Sequence, residues 1–183
     1  KIEVAQVTTF SENNDANLTI SNSIPDDQQQ FVLVVENAKT KKTENDFQIG
    51  QVLTSRNADL KKIFTGNGII KDWIGIVKDL DSNSDGKGIL SILINANVNG
   101  KEKKSFHVET WNNALSDWLA NTLIEPNTNM YQKMGYLSEG DKVKFSGSFF
   151  IDDDGMIETQ NLSKKGKINK PGFTFKFSDI SKL

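Results

Sequence analysis

The sequence contains no cysteine, and this absence excludes several kinds of chemistry at once. Disulfide bonds, thiolate metal sites and cysteine nucleophiles all require a thiol group. The 183 residues also include a single histidine, His107, and no serine in a nucleophile-elbow pattern accompanies it. We therefore predict that this protein is not an enzyme and that it holds no metal and no cofactor.

Arginine is nearly absent as well, because Arg56 is the only arginine among 22 basic residues. Arginine makes the bidentate contacts that recognise phosphate and guanine, and the net charge of the chain is −2. Strong electrostatic binding of nucleic acid is therefore disfavoured. The sequence also lacks any apolar run that approaches the ~20 residues needed to span a bilayer, so we predict no transmembrane segment.

The N-terminal third divides into two segments. Residues 1–24 alternate apolar and polar side chains at first and then become polar, which predicts a short strand followed by a loose segment. Residues 25–66 predict a helical hairpin, with Pro25 at the start of the first helix. The second helix is predicted to start near Thr43, with Asp46 as a capping-box partner.

The remaining residues, 67–183, predict five strands. Their segments are 69–78, 88–98, 104–111, 142–151 and 173–177, with a helical stretch around 130–137. Three strands, a helix and two strands is the order of the oligonucleotide/oligosaccharide-binding barrel, the OB-fold, and Gly75 and Gly147 suit its sharp bends. The predicted fold class is thus mainly β with N-terminal helices (α+β), a five-stranded OB-fold-like barrel preceded by a helical hairpin.

Three segments carry a family resemblance: IKDWIGIV at 70–77, LSEGDKVKFSGSFF at 137–150 and PGFTFKFSDI at 171–180. In these segments the chain resembles a group of bacterial exported proteins and lipoproteins whose OB-fold domain is likened to the anticodon-binding domain of tRNA synthetases. The resemblance implies a periplasmic or cell-envelope location. Because the chain begins at Lys1 rather than Met, we expect the native start to lie upstream, where a signal peptide or a lipid anchor can precede it.

The candidate ligand-binding residues lie on and just after the third strand: Lys103, Lys104, His107, Glu109 and Trp111. Lysines can contact phosphate, and Trp111 can offer a stacking face for a base or a sugar. His107 and Glu109 are two positions apart and share one face, which is the arrangement of a general base and its orienting carboxylate. Solvated side chains on a strand face are the alternative interpretation of all five.

Two acidic segments have a possible cation-binding interpretation. Asp81, Asn83 and Asp85 match the first half of an EF-hand loop, but the bidentate glutamate of the second half is missing. The run 152–154 places three aspartates before a glycine, which is typical of a tight turn. We interpret both as turns, and the sequence leaves open whether the first one binds a cation.

The leading hypothesis from the sequence is a non-catalytic OB-fold binding module that contacts its ligand through the second and third strands. Its partner would be a protein or a glycan, with weak, salt-sensitive binding of nucleic acid as a further option. The alternative hypothesis is a single-stranded nucleic-acid-binding protein that uses Trp111, Lys103 and Lys104. A hydrolase based on His107 or on the aspartates at 152–154 is the remote alternative.

Overall fold

The computed structural model describes residues 24–64, 67–98 and 100–183. The strand and loose segment predicted for the first 24 residues lie outside this part of the chain, apart from Ile24. Within it, no helix combines the length and the apolar character that crossing a membrane requires.

The predicted helical hairpin is present as helix α1, Asp26–Thr40, and helix α2, Asp46–Ile63. Pro25 directly precedes α1, where its missing N–H group costs nothing. The predicted start of α2 near Thr43 is wrong, because the helix begins at Asp46. Asn45 takes the N-cap position instead, and its side chain accepts a hydrogen bond from Gln48 N at 3.0 Å.

The five strands of the barrel are β1 Ile69–Ser82, β2 Gly88–Val98, β3 Lys101–Glu109, β4 Lys142–Phe149 and β5 Gly172–Lys182. They form a closed barrel in the order β1-β2-β3-β5-β4. All neighbouring pairs are antiparallel except β3 and β5, which are parallel. Helix α3, Asn129–Met134, connects β3 to β4. This arrangement confirms the predicted OB-fold barrel preceded by two helices.

The strand ends differ from the predicted ones where polar residues pair across the sheet. β1 continues to Ser82, because its polar end pairs with β2 down to the pair Ser82 and Gly88. β3 begins at Lys101 rather than at residue 104 and ends at Glu109. Ladder hydrogen bonds thus extend strands through residues whose polarity predicts a turn.

A short helix, α4 (Lys164–Asn169), lies between β4 and β5 and was not predicted. Its lysine-rich sequence has no apolar periodicity that would indicate a helix. Ser163 caps it by accepting a hydrogen bond from Gly166 N at 3.0 Å. The only arginine holds it in place, since the buried Arg56 side chain donates to Lys167 O and lies 5.2 Å from the ring centre of Phe173.

The two helices and the barrel share one hydrophobic core. Phe31 of α1 is fully buried among barrel aromatics, with ring centres 4.9 Å from Phe149, 5.0 Å from Phe106 and 5.4 Å from Trp73. Trp73 and the alternating phenylalanines of β5 are all buried in this core. Those phenylalanines are Phe173, Phe175 and Phe177.

Two glycines allow neighbouring strands to approach closely. A Cβ atom at Gly75 would lie 2.3 Å from Ile92 Cγ2, and one at Gly147 would lie 2.2 Å from Lys176 O. Neither distance can accommodate a methyl group, so a residue without a side chain is required at both positions. This close approach is the physical reason for the two glycines that the sequence analysis associates with barrel bends.

Replacement of Phe31 by alanine should lower the free energy of unfolding by about 3–5 kcal/mol, because a buried aromatic side chain is lost and a cavity remains. Urea denaturation measures the change. Phe47→Ala is the matched control, because Phe47 lies on the neighbouring helix with 74% of its surface exposed. That control should change stability by less than about 0.5 kcal/mol. Equal effects of the two substitutions would contradict the role given to Phe31.

Candidate ligand-binding surface

Three of the five predicted residues share the outer surface of the barrel. Lys104 pairs with Asn95, and His107 pairs with Leu93, so all four point away from the core. Glu109 follows on the same face opposite Ser91, whose hydroxyl donates to Glu109 Oε2 at 3.2 Å. The structure therefore brings Lys104, His107 and Glu109 together.

Lys103 points to the opposite side of β3 and contacts α1. Its ammonium group lies 2.7 Å from the carboxylate of Glu36, which is buried. Glu36 also accepts hydrogen bonds from Lys39 and from the hydroxyl of Ser105, both at 2.7 Å. Burial by itself raises the pKa of Glu36, but the hydrogen bonds from Lys103, Lys39 and Ser105 outweigh it and lower the pKa. Lys103 therefore attaches the helix to the sheet.

Trp111 lies just beyond β3 and is half-buried. Its backbone N–H donates to Thr122 Oγ1 at 2.8 Å, which ties the end of the strand to the connection that follows. Trp111 thus follows the strand that carries Lys104, His107 and Glu109 rather than belonging to it.

The surroundings of His107 and Glu109 shift the pKa of each in the direction that disfavours the charged form. Burial, together with the charges of Lys78, Lys104 and Lys39, lowers the pKa of His107 to about 4. Burial also raises the pKa of Glu109. The Glu109 carboxylate lies against the start of β5, where a Cβ atom at Gly172 would be 2.0 Å from Oε1. At pH 7 the imidazole is therefore neutral, and the neighbouring carboxyl group packs on the barrel.

An open groove of about 280 Å³ lies on this outer surface where β1 and β2 separate. Pairing between the two strands begins at Ile76 and Leu93 and runs toward the hairpin turn, so it does not include β1 before Ile76 or β2 after Leu93. Apolar side chains on the groove wall are Ile24, Ile74, Ile76, Leu93 and Ala96, and the polar ones are Gln28, Asn95, Asn97, Glu102 and Lys142.

The β1 edge of the groove already has a hydrogen-bond partner. The side-chain amide of Gln28, from α1, donates to Ile74 O at 2.6 Å and accepts from Ile74 N at 2.8 Å. Gln28 is itself buried, so this amide replaces the main chain of the missing neighbouring strand. On the β1 side of the groove, the main-chain N–H and C=O groups of Ile74 therefore have hydrogen-bond partners.

The β2 side of the groove is different. Asn95 and Asn97 are two positions apart and alternate with the buried residues Ile94 and Ala96. The Oδ1 atoms of both asparagines are buried and have no hydrogen-bond partner within the described part of the chain. Leaving a buried acceptor unpaired costs roughly 1–3 kcal/mol. The sequence analysis missed both residues, since isolated asparagines in an apolar strand give no distinctive signal.

The two acidic segments form turns, as the sequence interpretation has them. Asp81 is part of β1, and Asn83 Oδ1 accepts from Asp85 N at 3.0 Å and from Lys87 N at 2.9 Å. Asp152 Oδ1 likewise accepts from Met156 N at 2.7 Å. Among the residues that the structure describes, no three His, Cys, Asp or Glu side chains converge on a possible metal position.

A second feature that the sequence analysis missed is the connection after Trp111. Leu115, Trp118 and Leu119 expose 80–89% of their surface there. The buried Asp117 between them anchors the segment, because its carboxylate accepts from the hydroxyl and the N–H group of Thr122 at 2.6 Å and 2.5 Å. The three apolar residues have the i, i+3, i+4 spacing that is typical of a buried helical stripe, but in the structure all three are exposed.

Titration of His107 tests the electrostatics of this surface. As the only histidine, it gives one set of ring-proton NMR signals, whose midpoint we expect near pH 4. Between pH 6.5 and 4 the unfolded chain binds more protons at this residue than the folded one, so the free energy of unfolding should fall as the pH is lowered. His107→Asn should remove this contribution. A midpoint near 6.5 in the folded protein would show that the ring is solvated.

Comparison with known proteins adds little to this description. No protein-family model and no curated protein sequence matches the chain. Among solved structures, the chain is similar to a small single-stranded DNA-binding protein from Streptomyces coelicolor, at 14% sequence identity and a TM-score of 0.32. The match covers 63% of this chain and 91% of that chain. This likeness is too weak to support a conclusion about this chain. The OB-fold assignment rests on the strand order of the barrel.

Proposed function

We propose that this protein is a non-catalytic OB-fold binding module that takes its ligand in the groove between β1 and β2. The observation that carries the proposal is that Asn95 and Asn97 line this groove and that their buried Oδ1 atoms have no hydrogen-bond partner within the described part of the chain. Buried acceptors are normally paired, and rotation of these side chains toward a ligand with N–H or O–H donors would pair them.

The chemistry of the neighbouring titratable residues supports a binding role. A histidine with a pKa of about 4 is a weak base at pH 7, and a general base works best when its pKa is near the operating pH. Ser91 donates its hydroxyl to Glu109, and within the described part of the chain no serine hydroxyl bonds to the imidazole of His107, so the Ser–His pair of a serine nucleophile is not formed. An exported or envelope location remains a prediction from the family resemblance.

Single-stranded nucleic acid is the second candidate ligand, and it would bind beside the groove. The observation in its favour is that Lys78 and Lys104 both lie near enough to His107 for their charges to lower its pKa. Every Phe and Trp side chain within the five strands is buried, however. Stacking of bases would therefore depend on aromatic side chains outside the strands, such as Trp111 and the exposed Trp118.

Whether the Oδ1 atoms of Asn95 and Asn97 are unpaired can be tested without any ligand. Asn95→Leu and Asn97→Leu each remove a buried, unpaired amide, so each should raise the free energy of unfolding, by about 1 kcal/mol or more. Urea denaturation measures the change, and Asn112→Leu, at an exposed position outside the groove, is the matched control. Destabilisation by both groove substitutions would show that the two amides already have partners and would remove the basis of the proposal.

Fluorescence anisotropy of labelled single-stranded DNA and RNA tests the second candidate. If the lysine-bearing surface binds nucleic acid, affinity should fall as salt is added. Trp111→Ala should then weaken binding by about 1–3 kcal/mol through loss of base stacking. Lys176→Ala, on the exposed side of β5, serves as a control for loss of a single lysine charge. The absence of binding at low salt would eliminate this candidate.

A further inference from the structure

We infer that the connection after Trp111 attaches the protein to a phospholipid membrane by inserting Leu115, Trp118 and Leu119 into the bilayer interface. These three residues belong to the apolar loop, residues 112–121, and no residue of this loop lines the groove between β1 and β2. The inference is therefore independent of the proposed function. It is carried by the exposure of the three side chains, by the hydrogen bonds that fix the loop and by the lack of exposed charge.

The apolar loop presents three large apolar side chains within five consecutive residues. Leu115 exposes 89% of its surface, Trp118 exposes 83% and Leu119 exposes 80%. Single exposed leucines are ordinary on protein surfaces, but a cluster that includes tryptophan is typical of an interaction site. Moving this apolar surface out of water would be favourable.

Hydrogen bonds hold the loop so that these side chains face outward. Asp117 N donates to Asn113 O at 3.1 Å and Asn121 N donates to Asp117 O at 2.8 Å, which winds the loop into helical turns. In such turns the residues at 115, 118 and 119 share one side. The buried Asp117 carboxylate accepts from Thr122 N at 2.5 Å and from Leu123 N at 3.0 Å. The loop is therefore ordered before it meets a surface, which lowers the entropy cost of binding.

Insertion of this loop would bring no exposed charge into the membrane. Between Glu109 and Glu125 the chain has one charged residue, Asp117, whose side chain is buried. Transfer of a charge out of water is costly, so a segment without exposed charge can enter the interface where a charged one cannot. At the base of the loop, Glu125 pairs with Lys87 at 2.6 Å. The loop itself has no lysine or arginine that would attract anionic lipid.

A lipid surface suits this loop better than a protein partner does. The side chains of Leu115, Trp118 and Leu119 project from the surface, and a protein partner would need a pocket of matching shape and a polar rim. A bilayer interface accepts side chains of any shape. Tryptophan is favoured there because its ring is apolar and its N–H group can stay hydrated, while leucines reach the acyl chains. Two copies of the chain would meet tip to tip and cover little of this surface.

The position of the loop leaves the groove free. Gly88, the first residue of β2, donates from its N–H to Ile124 O at 2.8 Å, just beyond the loop. Asn95 is seven residues further along β2, and a strand rises about 3.3 Å per residue, so this part of the groove lies about 23 Å from Gly88. Insertion of the loop tip therefore does not cover the groove.

Vesicle flotation tests the inference with the full chain. The probes are unilamellar vesicles of phosphatidylcholine alone and of phosphatidylcholine mixed with phosphatidylglycerol. We expect the protein to float with both, and salt should not change the affinity, because no basic side chain takes part. Trp118→Ala should weaken binding about tenfold through loss of one large apolar side chain. Phe47→Ala is the matched control, because it removes a similarly exposed aromatic side chain from α2 and should leave binding unchanged.

Quenching by lipids brominated on the acyl chains identifies the inserted residue. Trp73 is fully buried and Trp111 is half-buried, so Trp118 is the tryptophan whose fluorescence these lipids should quench. Trp118→Leu keeps an apolar side chain, so it should retain binding and lose the quenching. Circular dichroism verifies that each variant is folded, which is expected because this side chain makes few contacts with the protein.

Several results would overturn the inference. The original protein could fail to float with either vesicle, or could float only with the phosphatidylglycerol mixture, which would indicate binding through lysines. Equal loss of binding in Trp118→Ala and Phe47→Ala, or quenching that persists in Trp118→Leu, would place the contact elsewhere. A dimer in analytical ultracentrifugation that Trp118→Ala abolishes, without vesicle binding, would assign the patch to a second copy of the chain. None of these results bears on the groove, whose asparagines are tested separately.

Discussion

The insertion of Phe31 into the barrel is the interaction on which the other features depend. Its ring contacts aromatic residues from four different strands, and it lies nearly parallel to Phe149 at an interplanar angle of 10°. Burying one aromatic ring in an existing apolar cluster fixes both the depth and the rotation of α1 against the sheet. The helical hairpin is consequently a structural part of the barrel.

This fixed position of α1 determines what the outer surface can offer. One part of the helix places Gln28 against Ile74, and another places Glu36 between Lys39 and Lys103. The first contact satisfies the β1 edge of the groove, and the second occupies a lysine that would otherwise be free to meet a ligand. On β2, by contrast, the Oδ1 atoms of Asn95 and Asn97 receive no hydrogen bond from α1.

Sequence reasoning predicted the barrel, but it could not show which of the candidate side chains lie together, and the physical reasons differ. Alternating phenylalanines in β5 and the glycine at 75 reflect local geometry, so their pattern is visible along the chain. Lys103 and Lys104 are adjacent and chemically identical, yet one pairs with Glu36 and the other lies beside His107. Only the pairing register and the position of α1 separate them, and neither is a local property.

The sequence by itself determined the order of the strands along the chain, the two helices, the alternating apolar positions that fill the core and the absence of thiol chemistry. These follow from residue type and short-range periodicity. Tertiary structure decided where the barrel ladder opens, which amides are left unpaired there, and how far burial shifts the pKa of His107. Those properties depend on contacts between residues tens of positions apart. Desolvation and unmade hydrogen bonds have energies that only the assembled surroundings of a group can set.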